Sequence, residues 1–289
     1  MQIPRYDTSN KWFKGNTHIH SKMSDGGKNF SEIAELYNTK GYDFLFRTDH
    51  WVASDVKADK AEYPLLWIDG IELDGTDRAG VYYHVVCLGK APTMTRETGF
   101  ENGMNLAKAS GAIMILAHPE WSGNRTEDAL RWDFHGVEVY NHVCRWLNGK
   151  SSGSAHFSAM LDKSKDALAF ASDDAHLNVA EPVFDGGWII VNAPSLDGEN
   201  ILQAIRLGNF YSSCGPEIHS ISYEGKKVRV KTSPVRFIRL VGRNGSGLRN
   251  GSFSDLVEEA VFDIPEEWPY AYIELEDEYG RKAWTNTLA

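Results

Sequence analysis

His18 and His20, in Asn16-Thr17-His18-Ile19-His20-Ser21, are two imidazoles two positions apart. At the end of a strand, side chains at i and i+2 project from one side. Two imidazoles so placed can grip one metal ion, and the carboxylate of Asp25 a few residues on can reach a second. Taken alone, such a pair also arises as an accident of surface or packing. The chain, however, keeps supplying matching residues: Thr48-Asp49-His50, Glu72, His84, Ala117-His118-Pro119 and Asp174-x-His176. Imidazoles mixed with hard carboxylates suit zinc, manganese or iron, and the absence of thiolates speaks against a closed structural zinc site.

These residues recur where apolar runs end. The run 42–47 leads into Thr48-Asp49-His50, and 65–71 leads into Glu72. His84 lies inside the run 81–88, His118 follows the near-continuous apolar run 112–117, and Asp174 follows 167–171. An unbroken apolar run is what a strand covered on both faces requires. Helices are expected over 31–40, 101–110, from the Ser/Gly-rich patch at 151–154 to about 163, and over 199–207, most of them stopped by glycine. Strand and helix alternate to about residue 215. That pattern means parallel strands with helical crossovers, in an open sheet or a closed barrel. In a β/α barrel the C-terminal strand ends converge on one mouth, so these scattered residues would become neighbours. From 217 onward, alternating runs and Gly-rich turns predict a small antiparallel β domain of sandwich type, with Gly215-Pro216 as the boundary between 1–216 and 217–289.

In order and spacing, the pieces His18-x-His20, Asp25, Thr48-Asp49-His50, Gly70-Ile71-Glu72, His84, Ala117-His118-Pro119 and Asp174-x-His176 resemble the PHP (polymerase and histidinol phosphatase) family of metal-dependent phosphoesterases. The resemblance spans roughly residues 12–217. It implies a distorted (β/α)7 barrel holding two to three divalent ions. It further implies three adjoining sites: His18, His20, Glu72 and Asp174; then Glu72, as a bridge, with His84 and His118; then Asp25, His50 and His176. The implied activity is hydrolysis of a phosphate ester by a metal-activated hydroxide, with no side chain assigned as nucleophile. Cations that lower the pKa of bound water and neutralise phosphoryl oxygens would supply most of the barrier reduction.

Other residues have two readings each. Asp49 either orients an imidazole through its second nitrogen or forms a turn. Glu138 and Asn141, in Val-Glu-Val-Tyr-Asn, match a recurrent segment of the resembled family and are expected behind the ligands or at the mouth. Arg47, where that family usually has a small apolar residue, either clamps a substrate anion or pairs with an acid beneath the strands. Arg145, with His142, either lines the mouth or sits on a solvated loop. Trp51 reads as a packing aromatic, and His135, His156 and His219 as structural or surface residues.

Composition sets outer bounds. Hydrophobic content of 42% and charged content of 24% are ordinary for a globular chain. The net charge of −10 disfavours a stable complex with nucleic acid or an anionic membrane, and leaves a small phosphorylated substrate as the expected partner. Cys87, Cys144 and Cys214 are odd in number and far apart, which argues against a disulfide framework. No run is long enough to span a membrane, and the N-terminus lacks a basic stretch followed by an apolar one, so a cytoplasmic location is the expectation. Oligomeric state is not legible. Two other functions compete. One is an amidohydrolase-like cleavage of C–N or ester bonds, which typically calls for a carbamylated lysine or equivalent bridging ligand. The other is a non-catalytic PHP-like module, which would have lost ligands that this chain retains.

Overall fold

The computed structural model describes residues 6, 8–179 and 183–288. Most of the N-terminal stretch read above for a leader lies outside them. Strands β1 (Lys11–Asn16), β2 (Phe44–Arg47) and β3 (Leu66–Thr76) are followed by β4 (Tyr82–Leu88), β5 (Ile113–Leu116), β6 (Gly136–Asn141) and β7 (Leu168–Ser172). These seven lie in sheet order as they do in sequence. β1, β2 and β3 are parallel, and so are β5, β6 and β7. β4 is the exception to the expected crossovers, because it runs antiparallel to both neighbours. Only five residues separate β3 from β4, which suffices for a hairpin and not for a helical return.

Helices α1 (Phe30–Asn38), α2 (Phe100–Ala109), α3 (Pro119–Ser122), α4 (His142–Asn148), α5 (Ser154–Lys163) and α6 (Gly198–Arg206) fill the connections. Asn29 caps α1, its side chain accepting from Glu32 N while Glu32 returns the bond to Asn29 N. The buried face of α1, with Ile33, Ala34 and Tyr37, packs on Leu45 and Trp67. Between strands and α6 lies an apolar interior of Phe44, Phe46, Ile115, Phe170, Ile201 and Ile205. A second cluster, with Leu73, Tyr83, Met104, Val137 and Phe157, fills the space under α2 and α5. Beyond the strands, His20 N donates to Ala175 O and Asp174 N donates to His18 O, so the chain leaving β1 lies beside the chain leaving β7.

β8 (Trp188–Ala193) and β9 (Phe210–Ser213) add antiparallel strands on the other side of β1. The remaining strands are β10 (Ile218–Glu224), β11 (Lys227–Val235), β12 (Phe237–Val241), β13 (Gly247–Gly251), β14 (Val257–Asp263), β15 (Tyr272–Glu276) and β16 (Lys282–Thr285). All of their pairings are antiparallel, as the alternation predicts. β16 pairs with β9, so a single 13-stranded sheet runs across the expected boundary at 216/217. β10, β11 and β14 form a separate three-stranded sheet, and Val228, Val230 and Phe262 share a core with Ile238, Leu240 and Leu275 of the large sheet. The chain end returns to the first part: Asn286 accepts from Ala169 N and donates to Gly208 O and Phe210 O. No described helix is long and apolar enough to cross a membrane.

Candidate metal centre

All nine expected ligands meet at one end of the sheet. Their ligating atoms fall into four overlapping sets, within 4.8 Å in each: His18, Glu72 and His118; His18, His20 and Asp174; His50, Glu72 and His84; and His20, Asp25, His50 and His176. Strand ends deliver most of them. His18 and His20 leave β1, and an isolated bridge sets His50 beside Glu72. His84 arrives on the antiparallel β4, opposite Asp74. His118 (φ 26°) and Asp174 (φ 55°) take up left-handed backbone, which turns each side chain sharply at its strand end. Six of the nine are less than a tenth exposed: His18, His20, His84, His118, Asp174 and Glu72, which is fully buried.

Glu72 stands at the centre. Its Oε2 lies 3.2 Å from His18 Nε2, from His20 Nε2 and from His50 Nδ1. Its Oε1 lies 2.8 Å from His84 Nδ1 and 3.6 Å from His118 Nε2. Asp174 Oδ1 is 3.3 Å from His18 Nε2 and 3.1 Å from His20 Nε2, and those two nitrogens are 3.1 Å apart. Asp25, half exposed, reaches His176 Nε2 at 3.4 Å and His50 Nε2 at 3.8 Å.

Outer hydrogen bonds decide which ring atom faces inward. His18 Nδ1 donates to Glu138 Oε1 at 2.8 Å, and His176 Nδ1 donates to the carbonyl of Asp174 at 2.9 Å. In each neutral ring the other nitrogen, Nε2, then carries a lone pair aimed at carboxylates. That arrangement calls for a positive charge between them. The spacing fits one. Ligands about 2.1 Å from a common cation stand about 3.0–3.4 Å from each other in octahedral or tetrahedral geometry. Consistent with this, His20 Nδ1, His50 Nδ1, Glu72 Oε2, Asp74 Oδ1 and Asp174 Oδ1 are buried without a hydrogen-bond partner. The donor set therefore fits divalent cations.

Several of these carboxylates and imidazoles shift one another's proton affinity. Burial alone would lower His18, but Asp174, Glu72 and Glu138 outweigh it and raise it well above 6.5. Burial likewise opposes the rise of His176, which Asp25 and Asp174 carry to about 9. His20 and His50 are also raised. Burial would raise Glu72, yet His18, His84 and His50 bring it well below its usual value.

The remaining candidates fall in different places. Glu138 lies directly behind the cluster: Oε1 accepts from His18 and Ser172 Oγ, and Oε2 accepts from His118 N and Asn141 Nδ2. Asn141 also donates to Asp174 Oδ2 and caps α4 through Cys144 N. Asp49 does not touch a histidine. It accepts from Ser21 N, Ser21 Oγ and Ser24 Oγ, and so holds the turn that carries Asp25. Neighbouring residues on an extended segment point opposite ways, which separates Asp49 from His50. Arg47 is buried under the strand ends, bonded to Asp59 Oδ2 at 2.6 Å, with its guanidinium 3.9 Å from the Phe30 ring centroid. It does not line the metal cavity. Arg145 and His142 lie on a helix rather than a loop, and line a separate cavity of about 420 Å³. Trp51 is packed, its indole N–H donating to Asp74 O. His156 bonds to Asn124 O, His135 to Met114 N, and His219 is exposed beside Glu217.

Two contributors escaped the sequence reading. Asp74 Oδ1 lies 2.9 Å from His50 Nδ1, while its Oδ2 accepts from Arg96. The signal was present, since Glu72 and Asp74 are two apart on one strand face. Trp121, on α3, lines the cavity. No local pattern marks it.

No family model matches the chain, and no curated protein matches it. Among solved structures, a two-domain protein from Bacteroides vulgatus, described as containing a predicted PHP-like metal-dependent phosphoesterase, aligns over 100% of this chain and 98% of its own, with a TM-score of 0.56 and 16% identity. The two chains share a fold. An amidohydrolase from Chromobacterium violaceum aligns over 58% of this chain and 90% of its own (TM-score 0.41, 15% identity). A "putative metal-dependent phosphoesterase" from Bifidobacterium adolescentis aligns over 66% and 94% (TM-score 0.45, 13% identity). The overall architecture, a mixed α/β sheet followed by antiparallel strands, is thus shared end to end with the Bacteroides vulgatus protein.

Proposed function

We propose that the protein is a metal-dependent hydrolase of phosphate esters, of PHP type, with strands β1 to β7 closing as a distorted seven-stranded barrel around a trinuclear site. The hydrogen bonds between 18–20 and 174–175 support that closure. The observation that carries the function is Glu72, whose two oxygens face two different groups of imidazoles as a bridging carboxylate must. His18, His20, Glu72 and Asp174 would hold one ion, Glu72 with His84 and His118 a second, and Asp25, His50 and His176 a third. Zinc, manganese and iron all suit these donors.

Bound divalent ions would supply Lewis acidity, activating water and neutralising phosphoryl oxygens. The chain's own part is to fix the ligands. Glu138 and the Asp174 carbonyl set the tautomers of His18 and His176, and Asn141 ties Asp174 to Glu138. No lysine lines the cavity, so the bridging ligand of an amidohydrolase site has no counterpart here among the described residues. A panel of phosphomonoesters, phosphodiesters, amides and lactones, assayed with added manganese or zinc, tests the reading. Turnover confined to phosphate esters is expected, and turnover of amides or lactones alone would overturn it.

A further inference from the structure

The cavity over the cluster holds about 190 Å³ and has two unlike sides. Its floor is the set of imidazoles and carboxylates described above. The other described residues lining it are Trp121, Val143, Cys144 and Leu147. Val143, Cys144 and Leu147 share one face of α4, as positions i, i+1 and i+4 of a helix do, which is why Arg145 faces elsewhere. Trp121 stands over the floor, with its ring centroid 5.2 Å from His118 and 5.7 Å from His84, each pair of planes nearly perpendicular. Trp121 is 38% exposed and Leu147 53%. Apolar side chains left open beside a buried charge cluster mark a surface that something covers. Among the described residues no lysine or arginine lines this cavity, and Arg96 is held by Asp74.

We infer that Trp121, Val143 and Leu147 bind the alcohol portion of the substrate, and that this portion is an uncharged, apolar group of about the size of one ring. The inference rests on the phosphoesterase reading and adds the substrate class. The phosphoryl group faces the floor, where the positive charge would be, while the ester's carbon skeleton lies along the wall. A leaving group bearing a second phosphate or a carboxylate would meet apolar carbon and no counter-charge. A ring removes the exposed face of Trp121 from water and gains stacking.

The test uses manganese-loaded protein and two non-cleavable probes, benzylphosphonate and methylphosphonate, with affinities read by calorimetry. Benzylphosphonate should bind about 10-fold tighter or better, the return expected from burying one ring. Trp121→Ala and, separately, Leu147→Ser should each erode that difference, with metal content unchanged. In turnover, kcat/KM should favour benzyl phosphate over glycerol phosphate, whose leaving alcohols are of similar basicity. Equal affinities for the two phosphonates, alongside hydrolysis of either ester, would overturn the wall and leave the phosphoesterase reading standing. A preference that survives in both variants would overturn the assignment to these residues. Failure to hydrolyse either ester or bind either phosphonate would remove both readings together.

Discussion

His18 Nδ1 and Glu138 Oε1 are 2.8 Å apart, both fully buried, and that contact fixes which nitrogen of His18 faces Glu72. In Glu138→Gln, the backbone N–H of His118 and the Asn141 amide would claim the amide oxygen. The new NH2 would then face His18 and turn its ring to the other tautomer, with Nε2 protonated. We expect metal affinity to fall about 10- to 100-fold, as on loss of a carboxylate behind a liganding histidine. Titration against a competing chelator measures it, and an unchanged affinity would show that Glu138 does not set the tautomer.

Asp74 Oδ1 lies 2.9 Å from His50 Nδ1, while Oδ2 accepts from Arg96. Asp74→Ala should free the His50 ring and weaken the site made with Asp25 and His176, while the sites around Glu72 keep their ions. Metal stoichiometry by elemental analysis should drop by about one ion per chain.

Removing metal should make stability depend on pH in a definite direction. His176 is raised from 6.5 to about 9, and His18, His20 and His50 are raised too. Groups with raised pKa stabilise the fold fully below about pH 6.5, and that contribution is lost as pH climbs toward about 9. Asp25, Glu72 and Asp174 are lowered, so their contribution is present above about pH 4 and lost on acidification. The chelated protein should therefore melt highest between about pH 4.5 and 6.5. Ions compete with protons for the same atoms, so the gap in Tm between loaded and chelated protein should widen from pH 6.5 to 9. A gap that narrows would contradict ligation by these histidines.

His20→Ala and His118→Ala should each abolish phosphate-ester turnover while circular dichroism still reports the folded state. Both rings sit among groups whose charges their loss leaves unbalanced, not in the apolar core. Full activity in either variant would exclude that ring from the working site.

Arg47 separates binding from stability. Its guanidinium is bonded to Asp59 and stacked on Phe30, with Tyr63 and Trp67 nearby. Arg47→Ala should lower Tm by about 5 °C through lost packing, with KM unaltered. A large rise in KM without a change in Tm would restore a substrate-clamping role.

The resemblance carried by the short motifs named nine residues, Glu72 among them, that the fold brings into one cluster. His18, His20, His50, His118, Asp174 and His176 stand where apolar runs end, whereas Asp25 in a turn and His84 inside a strand were marked only by the resemblance. The same periodicities marked the runs after 217 as antiparallel strands, but not β8 and β9, which fall in the part expected to be parallel and pair antiparallel. What spacing does not encode is direction across space. Only the folded chain decided that β4 runs antiparallel, that β16 joins β9 in one continuous sheet, and that the turn of α4 aims Leu147 at the cluster and Arg145 away from it. Asp49, Arg47 and Trp121 took their places for the same reason. Their partners lie tens of residues away or across another element, and a side chain's partner is fixed by packing in three dimensions, not by its neighbours along the chain.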